Sequence, residues 1–300
     1  MKFHIVSDSS CDLGREEARR RSITLVSFYV ALGDETYYRE ERDISTREFY
    51  QRMADNPKVF PKTSMPTPED YLEAFRPLAA QGMPVLCICI NGQYSGSRQS
   101  AENARAELLE EFPEAVVHVM DSQLVTVLQG ELVREAAELR DAGYTLEQAV
   151  AALEPIRETG RIYFTTNDLD YLRHGGRIGR AAAAAGALLK VKPLIGYEHC
   201  ELVSDGIAQG RKRSLQRVQE VFLRAVKEKA LNLAEWRVVT GCGLDRDEYE
   251  TFTDQIFTAL SKLGHHLPRS PFYQIGVTIG VHTGPTPIGV GILRRALRPA

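Results

Sequence analysis

No run of apolar residues in this chain approaches the length of a membrane-spanning helix, and its opening, Met1 to Ser10, carries no secretory apolar core. Charge of one sign is lacking too. Against 40 Asp and Glu stand 37 Lys and Arg, a net charge of −3, which provides no electrostatic footprint for nucleic acid. The densest basic cluster, Arg211-Lys212-Arg213, is short and precedes helix-forming residues, so it reads as a solvated face. Cysteine is sparse and odd in number. Its five positions, 11, 87, 89, 200 and 242, are scattered, which fits neither a disulfide framework nor a zinc site with paired ligands. Internal repeats and low-complexity tracts are absent. So are the phosphate-cradling Gly-x-x-x-x-Gly-Lys-Ser/Thr, the dinucleotide Gly-x-Gly-x-x-Gly and the hydrolase elbow Gly-x-Ser-x-Gly. These absences predict a soluble, cytoplasmic protein without metal or cofactor.

What is present is ordinary globular composition, 43% hydrophobic and 26% charged over 300 residues, which predicts two domains. The boundary falls near Thr159-Gly160, dividing the chain into 1–159 and 160–300. In the first part strands alternate with helices: Lys2–Ser7, then a helix over Gly14–Arg21, a strand over Thr24–Leu32 and a short return over Glu35–Arg39. Ser45 and Glu48 fit a capping box, as do Thr145 and Gln148, and Thr67-Pro68 suits the start of a helix over Glu69–Gln81. A strand over Ala115–Met120 and a long amphipathic helix through Gln129–Asp141 follow. This alternation predicts a doubly wound parallel-sheet α/β/α domain. The second part mixes strands (Arg161–Thr166, Lys192–Ile195, Cys200–Val203, Trp236–Cys242, Tyr273–Ile279, Ile288–Leu293) with helices (Ser214–Lys229, Tyr249–Leu263). That pattern predicts an α+β domain with a mixed sheet. Ala181–Ala187 is a run of small side chains suited to close packing or to a slender ligand.

The chain reads as organised around its stretch Val85–Ala101. Val85–Ile90 is uniformly apolar or cysteine, as a strand buried on both faces should be. It breaks at Asn91-Gly92, and Ser95-Gly96-Ser97 leads into a helix. A hydroxyl-bearing loop at the carboxyl end of such a strand is a seat for an anionic head group, or an ordinary cap with Ser95 or Ser97 as its acceptor. Pro61–Pro68 supplies a second rigid hydroxyl-bearing turn with Thr63 and Ser64. Asp8, in the loop after the first strand, reads either as a metal or substrate ligand or as a turn and cap residue. A serine acyl hydrolase, with Ser95 as nucleophile, His282 as base and Asp8 or Asp121 orienting it, is the alternative chemistry these residues allow.

Seven segments in this order resemble the DegV family of fatty-acid-binding proteins: Ser7-Asp-Ser-Ser-Cys-Asp12, Thr63-Ser-Met-Pro66, Ser95-Gly-Ser97 with Gln99-Ser-Ala101, Asp121-Ser122, Leu169-Asp-Tyr-Leu172 with Gly175-Gly-Arg-Ile178, Lys192-Pro193 and His282-Thr-Gly-Pro285. The resemblance spans nearly the whole chain and implies a long-chain fatty acid held between two domains, by a protein without catalytic machinery. It implies that Thr63 and Ser95 hold the carboxylate, with Ser64, Gly96 and Ser97 in the same turns and His282 close to the head group. It further implies presentation of the bound acid to a fatty-acid kinase that forms an acyl-phosphate, with Arg177 at that encounter. The chain departs from the family in having Asn91 ahead of the Ser-Gly pair, Tyr94 before Ser95, and Ser97 where threonine is usual.

Overall fold

The computed structural model describes residues 2–33, 36–167, 169–184 and 191–297. In chain order the elements are β1 (His4–Asp8), α1 (Arg15–Arg20), β2 (Ile23–Val26), β3 (Tyr29–Ala31), β4 (Tyr38–Arg39), α2 (Thr46–Asp55), β5 (Lys62–Ser64), α3 (Pro68–Ala79) and β6 (Val85–Cys89). They continue with α4 (Ser97–Glu111), β7 (Val117–Asp121), α5 (Thr126–Asp141), α6 (Leu146–Arg157), β8 (Arg161–Thr165), α7 (Asp170–His174), β9 (Val191–Glu198) and β10 (Glu201–Gln209). The last are α8 (Arg211–Glu228), β11 (Trp236–Cys242), α9 (Arg246–Lys262), α10 (Val277–Thr283) and β12 (Ile288–Arg294). No helix among the described residues is long and apolar enough to cross a membrane.

The first sheet is parallel, in the order β2-β1-β6-β7. Alternation along β6 explains its uninterrupted apolar run. Leu86 and Ile88 pack on the face covered by α1, α5 and α6, through Ala18, Leu132 and Leu153. Cys87 and Cys89 face α3 and α4, through Tyr71, Phe75, Ala104 and Leu108. Helices on both faces make the domain doubly wound. The chain leaves β1 toward one edge and β6 toward the other, so the carboxyl ends of these neighbours form the switch point where open α/β sheets bind ligands.

The second sheet has the order β10-β9-β8-β12-β11. Its four ladders run antiparallel, and a single parallel bridge joins Cys242 to Gln274 at its edge. Helix α5 lies between the two sheets and is buried almost all round, where the sequence pattern predicts an amphipathic helix. Its polar residues are matched internally instead: Gln129 donates to Asp8 (2.8 Å), Arg134 to Glu131 (2.7 Å), and Arg237 of β11 to Glu135 (2.5 Å).

Other local expectations change in the structure. The strand foreseen over Thr24–Leu32 splits at Ser27-Phe28 into β2 of the parallel sheet and β3 of a small sheet, β4-β3-β5. The Ser27 hydroxyl bonds Glu40 O and the Phe28 N–H bonds Ser9 Oγ, which draws the backbone out of the first ladder. The strand foreseen over Tyr273–Ile279 does not form: Gln274 makes one isolated bridge and Val277–Ile279 open α10. Its β-branched residues mimic a strand locally, but Glu40 accepts from Thr278 N at 3.1 Å and so caps a helix. Within the small-residue run, Gly179–Ala184 form a 3₁₀ turn, and 185–187 lie outside the described residues, as does Glu35 of the short return.

Candidate functional site

The carboxyl ends of β1 and β6 are tied together by one carboxylate. Asp8 Oδ2 accepts from Ile90 N (3.0 Å) and Ser97 Oγ (2.7 Å), while Oδ1 accepts from Ser10 Oγ (2.6 Å) and Gln129 Nε2 (2.8 Å). Burial raises the Asp8 pKa and the four donors oppose that rise. With all its oxygens engaged, Asp8 is a structural knot rather than a metal or substrate ligand. Among the described residues no three His, Cys, Asp or Glu side chains are grouped to hold a metal ion.

Beside this knot an apolar cavity of about 180 Å³ is lined by Ile90 after β6, Val127 of α5, Ile279 of α10, and Phe164, Gly241 and Gly289 of the second sheet. Strand β5, the β6–α4 loop and α10 bring Thr63, Ser95 and His282 to its wall, together with Gly96 and Arg177. On α10 the spacing is helical: Thr278, Ile279, His282 and Thr283 face the cavity, and Val277 and Val281 pack on Phe49, Tyr50 and Met53 of α2. The His282 Nε2 atom lies 3.2 Å from Thr63 Oγ1. Burial, and then the Arg177 charge, lower the His282 pKa to about 4, so the ring is neutral at physiological pH. Its Nδ1 has no hydrogen-bond partner among the described residues.

Ser95 accepts from Ser97 N at 3.2 Å, an ST-turn just ahead of α4, whose N-cap is Gly96, and it is a cavity residue as well. That turn uses a lone pair and leaves the hydroxyl proton available. Gly96 permits the close approach of Met65, since a Cβ at 96 would fall 2.7 Å from the Met65 sulfur. Arg177 is exposed on the rim and donates to the carbonyls of Gly175 (2.6 Å) and Tyr94 (3.3 Å).

Two of the expected head-group residues lie elsewhere. Ser64 follows Thr63 in β5, so strand alternation turns it outward to solvent. Ser97 is 0% exposed and sits between Asp8 and Tyr71 OH, each at 2.7 Å. As the first residue of α4 its side chain points down at the strand ends, away from the cavity. The acyl-transfer alternative is not assembled either. His282 faces Thr63, its Nδ1 meets no carboxylate, Asp8 is engaged as above, and Asp121 accepts from Gly92 N and Gln123 N.

Sequence reasoning missed the groups that tie the loops after β6 and β7 to β9 and β10 around the cavity. Asn91 donates to Tyr197 OH (2.8 Å) and Cys200 O (2.9 Å), Tyr197 OH donates to Gln123 O (2.6 Å), and Leu202 N donates to Tyr94 OH (2.8 Å). The signal lay in Asn91 and Tyr94 themselves, the positions where the chain departs from the family pattern. Thr126 and Thr278 also line the cavity. They give their protons to Asp12 and Glu40 behind the wall, where burial pushes the Glu40 carboxyl up to about 7 and the Asp12 carboxyl well above its ordinary value.

Comparison with known proteins adds a family to this geometry. A protein-family model described as "Uncharacterised protein, DegV family" matches residues 2–295. A DegV domain-containing protein of Clostridium perfringens strain 13 is 31% identical over 293 residues, 97% of this chain and 98% of the relative. Among solved structures, a fat acid (stearic acid)-binding protein from Eubacterium ventriosum superposes with a TM-score of 0.91 at 39% identity, covering 98% of each chain. A DegV family protein from Thermus thermophilus, described for its fatty acid binding, superposes with a TM-score of 0.85 at 30% identity, covering 99% of this chain and 100% of its own.

Proposed function

The chain belongs to the DegV family, and on that premise we propose that it binds a long-chain fatty acid in the cavity between its lobes, with the carboxylate at Thr63 and Ser95. The observation that carries this reading is that Thr63, in contact with a neutral His282, and Ser95 line one and the same mostly apolar cavity. An N–H left without a partner is costlier than an unpaired acceptor, so we assign the His282 proton to Nε2. It then donates to Thr63 Oγ1, and the Thr63 hydroxyl proton is turned toward the ligand. Ser95 supplies the second donor.

Affinity follows from the tail. Burying about 15 methylenes at roughly 0.8 kcal/mol each amounts to about 12 kcal/mol gross, whereas each hydrogen bond to a charged acceptor adds about 1.5–3 kcal/mol. The head-group residues therefore fix orientation. Hydroxyl donors leave the carboxylate oxygens open to react, unlike a bidentate arginine clamp. That favours a carrier that presents its acid to a fatty-acid kinase over one that acts on the acid itself. Arg177, on the rim beside the head-group end, is suited to meet that partner. We take 1–159 and 160–300 as the two domains that enclose the ligand, and the cytoplasm, where scattered thiols stay reduced, as the place of action.

Mass spectrometry of an organic extract of the purified protein tests the reading. The expected result is a long-chain fatty acid in near-stoichiometric amount. An extract free of lipid, after expression in lipid-replete cells and failure of the delipidated protein to take up acid, would overturn it.

A further inference from the structure

Strands β11 and β12 pair so that Gly241 lies opposite Gly289, and Gly291, two residues on, shares that face of the sheet. All three glycines line the cavity. Glycine inside a strand weakens it and marks a place where another group comes close. For two of the three, that group belongs to the protein. A Cβ at 289 would fall 2.5 Å from Phe164 Cβ and 2.6 Å from Tyr163 O, and one at 291 would fall 3.0 Å from Leu128 Cδ2.

Gly241 is different. A Cβ there would meet nothing nearer than Val127 Cγ1 at 3.4 Å and Ile275 Cγ1 at 3.7 Å, which are ordinary contacts. Its backbone is not left-handed. Neither packing nor conformation therefore requires glycine at this position, and both of its neighbours are themselves cavity residues. Its place along the cavity is given by α10. Ile275 precedes that helix and His282 sits in its last turn, so at a rise of 1.5 Å per residue the two are about 10 Å apart along the axis. Gly241 packs by Ile275, which sets it about 10 Å from His282 along the axis of α10.

We infer that Gly241 determines which acyl-chain lengths the cavity accepts, by leaving room between Val127 and Ile275 for the distal methylenes of the tail. The inference rests on the fatty-acid reading and deepens it. A side chain at 241 occupies the space the far end of a long acid needs and leaves a short acid undisturbed.

The test is calorimetric titration of the delipidated full-length protein with straight-chain saturated acids from hexanoate to octadecanoate, for wild type, Gly241→Ala and Gly241→Val. Displacing two or three methylenes should weaken octadecanoate binding by about tenfold or more in the valine variant. Hexanoate, which ends short of Gly241, should be nearly unchanged, and the alanine variant should fall between. An unchanged length profile, or equal weakening at every length, overturns the inference while leaving the fatty-acid reading intact. A wild type that binds no acid of any length overturns both. Thermal unfolding checks each variant, and if the valine variant does not fold, the alanine variant, whose methyl fits without a clash, decides.

Discussion

Gly175 lies so close to His282 that a Cβ at 175 would fall 2.0 Å from the ring's Nδ1. The glycine backbone is the wall that holds the imidazole against Thr63. Its φ of −74° and ψ of −8° are open to any residue, so the close approach, not the conformation, demands glycine here. Gly175→Ala should therefore fold, push the ring aside and break the 3.2 Å contact of Nε2 with Thr63. Losing one oriented donor to a carboxylate should weaken fatty-acid binding by about tenfold, read by titration of delipidated protein. Unchanged affinity in a folded variant would show that the Thr63–His282 contact has no part in holding the ligand.

The hydroxyls divide by the direction of their side chains. Thr63→Val and Ser95→Ala each remove a donor at the head-group end, at a loss of about 1.5–3 kcal/mol of binding with little change in melting temperature. Ser64→Ala should change neither, because Ser64 faces solvent. Ser97→Ala should act on stability instead. It strips a 2.7 Å donor from the buried Asp8 carboxylate, at a cost of about 1–3 kcal/mol. Chemical denaturation and ligand titration of the four variants separate the two roles. A Ser97→Ala protein of wild-type stability would contradict the structural assignment.

Among the described residues Arg177 bonds carbonyl oxygens, at 2.6 Å from Gly175 and 3.3 Å from Tyr94, and no carboxylate is paired with it. An exposed guanidinium without a counter-charge steers anionic partners. Arg177→Ala should leave the fatty-acid dissociation constant almost unchanged while lowering kcat/KM for acyl-phosphate formation by a cognate fatty-acid kinase. The salt dependence of that reaction should flatten as well. Loss of lipid binding in this variant would assign Arg177 to the ligand rather than to the partner.

Much of the frame was legible because burial writes itself into residue type. Val85–Cys89 is apolar throughout since helices cover both its faces, Thr145 with Gln148 forms the expected capping box and Thr67 caps α3 ahead of Pro68, whereas Ser45 accepts from Glu48 N without the reciprocal bond. The convergence of Thr63, Ser95 and His282 was different. It came from a family resemblance, since partners 219 residues apart leave no periodic trace. Side-chain direction was also hidden. Ser64 and Ser97 carry the expected hydroxyls, but strand alternation and helix phase turn one to solvent and the other to Asp8. Helix α10 was misread for a physical reason: Val277, Thr278 and Ile279 have strand propensity, and only tertiary capping by Glu40 makes the segment helical.

That capping carboxylate makes stability depend on pH. Glu40 accepts from Ser9 Oγ and Thr278 Oγ1, each at 2.6 Å, and from Thr278 N at 3.1 Å, and burial raises its pKa from 4.5 to about 7. A raised folded-state pKa means that the folded protein binds the extra proton between those values. Stability from this group is fully present below pH 4.5 and is lost as pH rises through 7. Burial acts in the opposite sense on His282, whose pKa falls from 6.5 to about 4, so its contribution is present above pH 6.5 and is lost as pH falls through 4. The two slopes oppose each other in wild type over the interval they share. Glu40→Gln, which removes one titration and keeps the shape of the side chain, should therefore expose the His282 slope. Between pH 5 and 7 its melting temperature should rise with pH more steeply than that of wild type. Parallel curves for the two proteins would mean that Glu40 is already ionised in the folded state and that the donors around it outweigh its burial.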